Sequence, residues 1–165
     1  TDLGIDVISW TEQKKVLLDF AHMGRQTFFD AAKRINRPIY VSHGNADAVC
    51  VNIRNYTDEQ LKLTAHSEGV IGVSLPNTFV VGIGNHGKLT DAISHINYIK
   101  NLLGIDHIAV GSDFSVIITG TVDELSSVSG IPSLMRELRK ASYTEGEIEK
   151  IFYSNARRVI TELLN

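Results

Sequence analysis

The chain has 165 residues, 43% apolar and 21% charged, and 16 Lys+Arg against 19 Asp+Glu leave a formal net charge of −3. That length suits about one domain, and so mild a charge balance, with no basic stripe, argues against a nucleic-acid or membrane-surface partner. No apolar run reaches the roughly 18 residues of a membrane span, the opening "TDLGIDVISW" lacks the basic segment and cleavage site of a signal peptide, and the single Cys50 cannot form an intrachain disulfide, which favours the cytoplasm.

Four short, β-branched apolar runs bounded by turn residues read as buried parallel strands: "VLLDFAH" (16–22), "PIYVSH" (38–43), "GVIGVSL" (69–75) and "DHIAVGSD" (106–113). Helical patterns lie between them. After His22 the positions Phe28, Ala31, Ala32 and Ile35 share a face that Pro38 ends. Thr57 with Gln60 forms a capping box before Leu61 and Ala65, and Gly69 is the stop. Thr90 opens a third helix with the stripe Ile93, Ile96, Ile99 and Leu103, closed by Gly104. Residues 115–131 read as a long loop at a strand end, where function often sits. Pro132 suits a helix start ahead of Leu134, Met135 and Leu138, and Thr144 with Glu147 caps a last helix running through Ile148, Ile151, Phe152, Val159, Ile160 and Leu163. Strands alternating with helices predict a parallel α/β architecture, either doubly wound or part of a (β/α)8 barrel.

Chemistry gathers at the predicted strand ends, where barrel enzymes keep their catalytic groups. His22 and His43 close consecutive strands, 21 positions apart. Neighbouring strands lie about 4.8 Å apart, so two imidazoles leaving equivalent positions can meet one ion; the alternative is that each merely packs or hydrogen-bonds at its strand end. Asp113, in "GSDF", is placed to orient or protonate something at the mouth or else to cap a turn. Arg54 could hold a carboxylate bidentately or stand solvated at the surface, and Asp19 could support His22. His66, His86, His95 and His107 read as structural or exposed. "GIGNHG" (82–87) lacks the frame of a phosphate loop, and Ser42 has no nucleophile-elbow surroundings.

The segments "LLDFAHMGRQTFFD", "RPIYVSHGNADAVC", "IRNYTDEQL", "GVIGVSL", "HINYIKNLLGIDHIAVGSDF" and "YTEGEIEKIFYSNARRVI" resemble, in the same order and across nearly all of residues 16–160, the renal (membrane) dipeptidase family of zinc metallopeptidases within the amidohydrolase-like barrels. The resemblance implies that His22 and His43 are ligands of one Zn2+ of a two-zinc site, that Arg54 grips the terminal carboxylate of a dipeptide substrate, and that Asp113 contacts its amino end and assists proton transfer. The implied reaction is hydrolysis of a dipeptide by a metal-bridging hydroxide, with tolerance for a D-residue at the C-terminal position. Ser115-Val116 stand where the family has Asp-Gly, and Tyr153-Ser154-Asn155 where it has Gly-Gly-Asn.

The family's H-x-D strand, bridging Glu and additional substrate-binding His have no counterpart in this sequence, and a complete barrel needs about 250 residues. The expected fold is therefore the C-terminal half of a (β/α)8 barrel, four β-α units plus C-terminal helices over residues 1–165, with the N-terminal half absent. Such a half exposes sheet edges and an apolar face, so either a separate N-terminal half or a second copy of the chain is expected to cover it. A non-catalytic, degenerate half-barrel serving as a binding or interaction module is the alternative.

Overall fold

The computed structural model describes residues 1–114, 120–123 and 125–164. Thr1 starts helix α1 (Asp2–Lys14) by accepting the Gly4 N–H, and Lys15 ends it in the left-handed region. No element was expected there, because Leu3, Val7 and Trp10 form a helical stripe without a polar opposite face that stands out in the sequence. These three side chains are 72%, 49% and 52% exposed.

Three parallel strands follow in the order β1 (Tyr40–Gly44), β2 (Val70–Val73) and β3 (Ile108–Val110). They correspond to the second, third and fourth predicted runs, each trimmed. The first run differs: of residues 16–22 only Asp19 bridges to Tyr40, so there are three strands among the described residues where four were expected. Phe20 N–H still donates to Tyr40 O at 2.8 Å. Beyond it the Asp19 carboxylate takes the N–H groups of Ala21 and Ser42, both at 2.9 Å. A side chain thus occupies the backbone donor that a longer ladder would need, and the chain turns away at His22.

Alternate strand residues Val41, Ile71, Val73 and Ile108 are buried in the main core with Phe20 of the preceding segment and with Phe28, Leu61, Ile96, Leu134 and Leu138, which come from the outer helical layer. That layer comprises α2 (Arg25–Ala32), α3 (Asp58–His66), α5 (Leu89–Leu103) and α6 (Ile131–Lys140), with the single turn α4 (Asn77–Val80) at the end of β2. The Thr57/Gln60 capping box forms as predicted, Gly104 closes α5 at φ 89°, and Pro132 lies in the first turn of α6. Helix α5 begins at Leu89 rather than Thr90, because the Asp91 carboxylate accepts the Lys88 N–H.

The opposite face of the sheet is small. Gly72 and Gly111 let the backbone of β1 come close across β2: a Cβ at either position would collide with the Ser42 carbonyl oxygen. A second apolar group of Val70, Ala109 and Val159, flanked by Leu17 and Tyr40, lies at the N-terminal side of the strands. Val159 comes from α8 (Asn155–Leu164), which follows the capped α7 (Glu145–Glu149) through a π-helical turn, Lys150–Ser154. The last predicted helix is thus interrupted. The wider turn redirects the chain so that Asn155 donates to the carbonyls of Ile105 and Ile108, both at 2.8 Å. Within the expected long loop, residues 115–119 and 124 lie outside the described residues, and residues 128–130 form a 3-10 turn that leads into α6.

Candidate active site

His43 sits within β1, one residue before its end, where the pairing register with β2 shifts between Val41 and Gly44. An irregularity of this kind re-aims a side chain at a strand end. His22 is not the end of a strand; it stands in the turn that follows Asp19, at φ 67°. The two rings nevertheless meet as the spacing predicts: Nε2 of His22 lies 2.8 Å from Nε2 of His43, and the rings are inclined at 70° with centroids 4.8 Å apart. Nδ1 of His43 lies 2.9 Å from Ser42 Oγ. With that Nδ1–H donated to the hydroxyl, Nε2 of His43 accepts the Nε2–H of His22. Ser42 therefore orients the imidazole, a role its adjacency to His43 could have signalled.

Asp113 reaches the same place from the loop beyond β3, three residues past the strand's last residue, with φ 51°. Its Oδ2 is 4.0 Å from Nε2 of His43. Both His22 and Asp113 hold left-handed backbone conformations that cost non-glycine residues free energy, a feature concentrated at functional sites.

Arg54 stands at the end of the 45–56 segment, with its guanidinium carbon 5.6 Å from the centre of the Phe79 ring. No carboxylate pairs with it among the described residues, in contrast to Arg25, whose guanidinium meets Asp47 at 3.1 Å. Partial burial, the Arg54 charge and the neighbouring His43 together push the His22 imidazole toward its neutral form. A cleft of about 200 Å³ opens between them, lined by His22, Met23, Ile53, Arg54 and Tyr56 among others. Phe79 had no signal in the sequence, since it is 25 positions from Arg54 in a separate element. Asp19 does not support the His22 ring by a hydrogen bond; its carboxylate braces the backbone on either side instead.

The donor chemistry suits a metal in part. Two imidazole nitrogens meet at one spot, one ring held through its far nitrogen and the other biased toward neutrality, and a cation bound there would take the place of the Nε2–H that His22 donates to His43. Zinc takes three or four protein ligands. Among the described residues no three His, Cys, Asp or Glu side chains form a metal-binding group.

Among known proteins, the profile of the membrane dipeptidase family (peptidase family M19) matches residues 1–165. An uncharacterised protein of the pqqA 5′ region of Klebsiella pneumoniae is 37% identical over 163 residues, which are 97% of this chain and 59% of that protein. A metallopeptidase from Rhodobacter sphaeroides, whose crystal structure holds a phosphinate mimic of the dipeptide L-Ala-D-Ala, superposes with a TM-score of 0.93 at 26% identity, over 99% of this chain and 47% of that one. The metallopeptidase dipeptidase AC gives the same score and identity, with 49% of its chain covered. A probable dipeptidase, PvdM of Pseudomonas aeruginosa, shares the fold at a TM-score of 0.91, 20% identity and 54% of its length. The chain thus spans about half the length of the proteins it matches.

Proposed function

Because the chain belongs to the membrane dipeptidase family, peptidase family M19, we propose that it carries one half of the active site of a zinc-dependent dipeptidase, a hydrolase of the peptide bond in dipeptides. The observation that carries this reading is the meeting of the His22 and His43 Nε2 atoms at 2.8 Å, with the Asp113 carboxylate 4.0 Å from His43 and, across the adjoining cleft, Arg54 without a carboxylate partner among the described residues. Residues 1–165 are on this reading the C-terminal half of a (β/α)8 barrel, and the remaining zinc ligands come from polypeptide outside them. The exposed stripe of Leu3, Val7 and Trp10 on α1 is the kind of surface that a complementary half, or a second copy of the chain, would cover.

When bound, zinc supplies Lewis acidity and activates water near neutral pH. His22 and His43 would hold it, with the ring of His43 oriented by Ser42. The Arg54 guanidinium receives the substrate's terminal carboxylate in a forked, charge-assisted pair, with the Phe79 face limiting its swing. The Asp113 carboxylate takes a proton from the attacking water and delivers it to the departing amine nitrogen, which leaves poorly as an anion. Before that step it faces the substrate's ammonium group. The Rhodobacter sphaeroides relative, crystallised with a dipeptide mimic, supports the substrate class.

A two-nitrogen donor set also suits a module that binds a dipeptide without cleaving it, and one experiment separates the two. Zinc content and dipeptide hydrolysis are measured on the natural protein and on the His22→Ala/His43→Ala double variant. The proposal expects zinc-dependent hydrolysis that the double variant loses together with its zinc. Undiminished zinc in the double variant would remove the metal assignment, and dipeptide binding without turnover would establish the module.

A further inference from the structure

His95 is fully buried in α5 and takes no part in the chemistry proposed for the cleft. Both of its ring nitrogens are engaged. Nε2–H donates to the Val80 carbonyl at 3.0 Å, and Nδ1 accepts the Ala46 N–H at 3.2 Å. One donor and one acceptor are what a neutral imidazole offers, and burial favours that form. An apolar residue filling the same space would orphan the buried Ala46 N–H and the buried Val80 carbonyl, so the polar contacts help define where the two backbone segments lie.

The segments joined are the two that determine where Arg54 stands. Ala46 lies three residues beyond His43 and bridges to Tyr56, two residues beyond Arg54. The pairing is completed by Tyr56 N–H to Asn45 O at 2.8 Å and Asp47 N–H to Tyr56 O at 2.9 Å. Residues 45–56 therefore form a closed loop whose base is the Ala46–Tyr56 bridge. The base is held to β2 by Asn45, whose amide exchanges hydrogen bonds with the backbone of Ser74, both at 3.1 Å. Val80 ends α4, the turn that carries Phe79 under the Arg54 guanidinium. The loop also rests on α4 further along: Asn52 donates to Thr78 O at 3.0 Å and Asn55, beside the base, to Phe79 O at 2.9 Å.

We propose that His95, wedged between the base of the 45–56 loop and the end of α4, is a positioning residue that fixes the Arg54 guanidinium relative to the His22–His43 pair. It ties the loop base that leaves the His43 strand to the end of the platform on which Arg54 rests, and so sets, together with the Asn52 and Asn55 contacts to α4, the distance between the two parts of the site. This deepens the dipeptidase reading and rests on it for its kinetic consequence. It does not depend on that reading for its structural consequence.

Two substitutions isolate the brace. His95→Asn keeps an acceptor near the Nδ1 position, and His95→Leu keeps neither polar atom. On the natural protein, kcat/KM is measured for a free dipeptide and for the same dipeptide amidated at its C-terminus. The ratio of the two reports carboxylate recognition. Misplacement of a positioned group by about 1 Å costs up to about 10²-fold, so His95→Leu is expected to lower the ratio by about 10- to 100-fold and His95→Asn to recover part of it. An unchanged ratio in folded His95→Leu, or equal loss in both variants, would overturn the proposal and leave His95 as packing alone. Where His95→Leu does not fold, His95→Gln, which keeps the donor toward Val80 but offers Ala46 no acceptor, takes its place with the same expectation.

A natural protein that hydrolyses no dipeptide fails the functional reading, and the brace is then judged by amide hydrogen exchange. Faster exchange confined to residues 45–56 in the variant upholds it, and uniform or unchanged exchange refutes it.

Discussion

At the C-terminal ends of the strands, His22, His43, Arg54 and Asp113 hang on turns, side-chain-to-backbone hydrogen bonds and two left-handed residues, and His22 stands exposed. At the N-terminal ends, Asn155 saturates two backbone carbonyls, Arg158 donates to the carbonyls of Glu68 and Asp106, and Val159 is sealed against Val70 and Ala109. One end spends conformational freedom on holding polar groups toward an opening, and the other satisfies its polar groups internally. The division is the one expected of a sheet that binds ligands at the carboxyl ends of its strands. It teaches that the two ends should respond to substitution through different observables: turnover at one, stability at the other.

The largest expected effect would break the comparison if it moved the wrong observable. Asp113→Asn preserves shape and the left-handed backbone, which Asn tolerates, but it cannot carry the proton. It is expected to lower kcat by about 10²- to 10⁴-fold with zinc content and thermal midpoint unchanged. A fall in the midpoint with kcat intact would make Asp113 a turn residue, and a change in KM alone would make it an ammonium clamp. At the opposite end, Asn155→Ala orphans two backbone carbonyls. A loss of about 1–3 kcal/mol for each buried acceptor is expected in denaturant unfolding, with KM and kcat of the remaining folded protein unaltered.

Arg54→Ala sharpens the contrast within the mouth itself. Removing a charge-assisted pair of hydrogen bonds costs about 1.5–3 kcal/mol, read as about a 10- to 100-fold loss of kcat/KM on free dipeptides and little loss on C-terminally amidated ones. Equal losses on both would move Arg54 to the structural side. The smallest effect lies in the helical layer. The Lys100 ammonium, followed by the Thr144 cap, holds the Glu147 carboxyl down to about 2. A carboxyl depressed in the folded state stabilises above its unfolded value of about 4.3, and that contribution is lost as pH falls from there toward about 2. The thermal midpoint of the parent should therefore drop across this window more steeply than that of Glu147→Gln. The difference corresponds to less than about 1 kcal/mol, as for other ion pairs at a surface.

The sequence by itself determined the features that close within a few residues. The capping boxes at Thr57/Gln60 and Thr144/Glu147 formed as read, because each joins residues three apart. Gly104 and Pro132 marked helix ends through their own backbone restrictions, and the runs that became β1, β2 and β3 were legible as short apolar strands between turn signals. The meeting of the His22 and His43 rings was foreseeable from their spacing across one β-α step, although His22 reaches it from a turn rather than from a strand end. What only the tertiary structure decided lies in contacts across long separations. Asp19 shortens the first run to a single bridge by taking a donor from Ser42, 23 positions away. The π-helical turn at 150–154 is followed by Asn155, which reaches carbonyls 47 and 50 positions earlier. Phe79 comes to lie under Arg54, and His95 joins Ala46 to Val80. The physical reason is the same in each case: a side chain's hydrogen-bonding preference is written at its own position, but which backbone group it meets depends on how the whole chain packs.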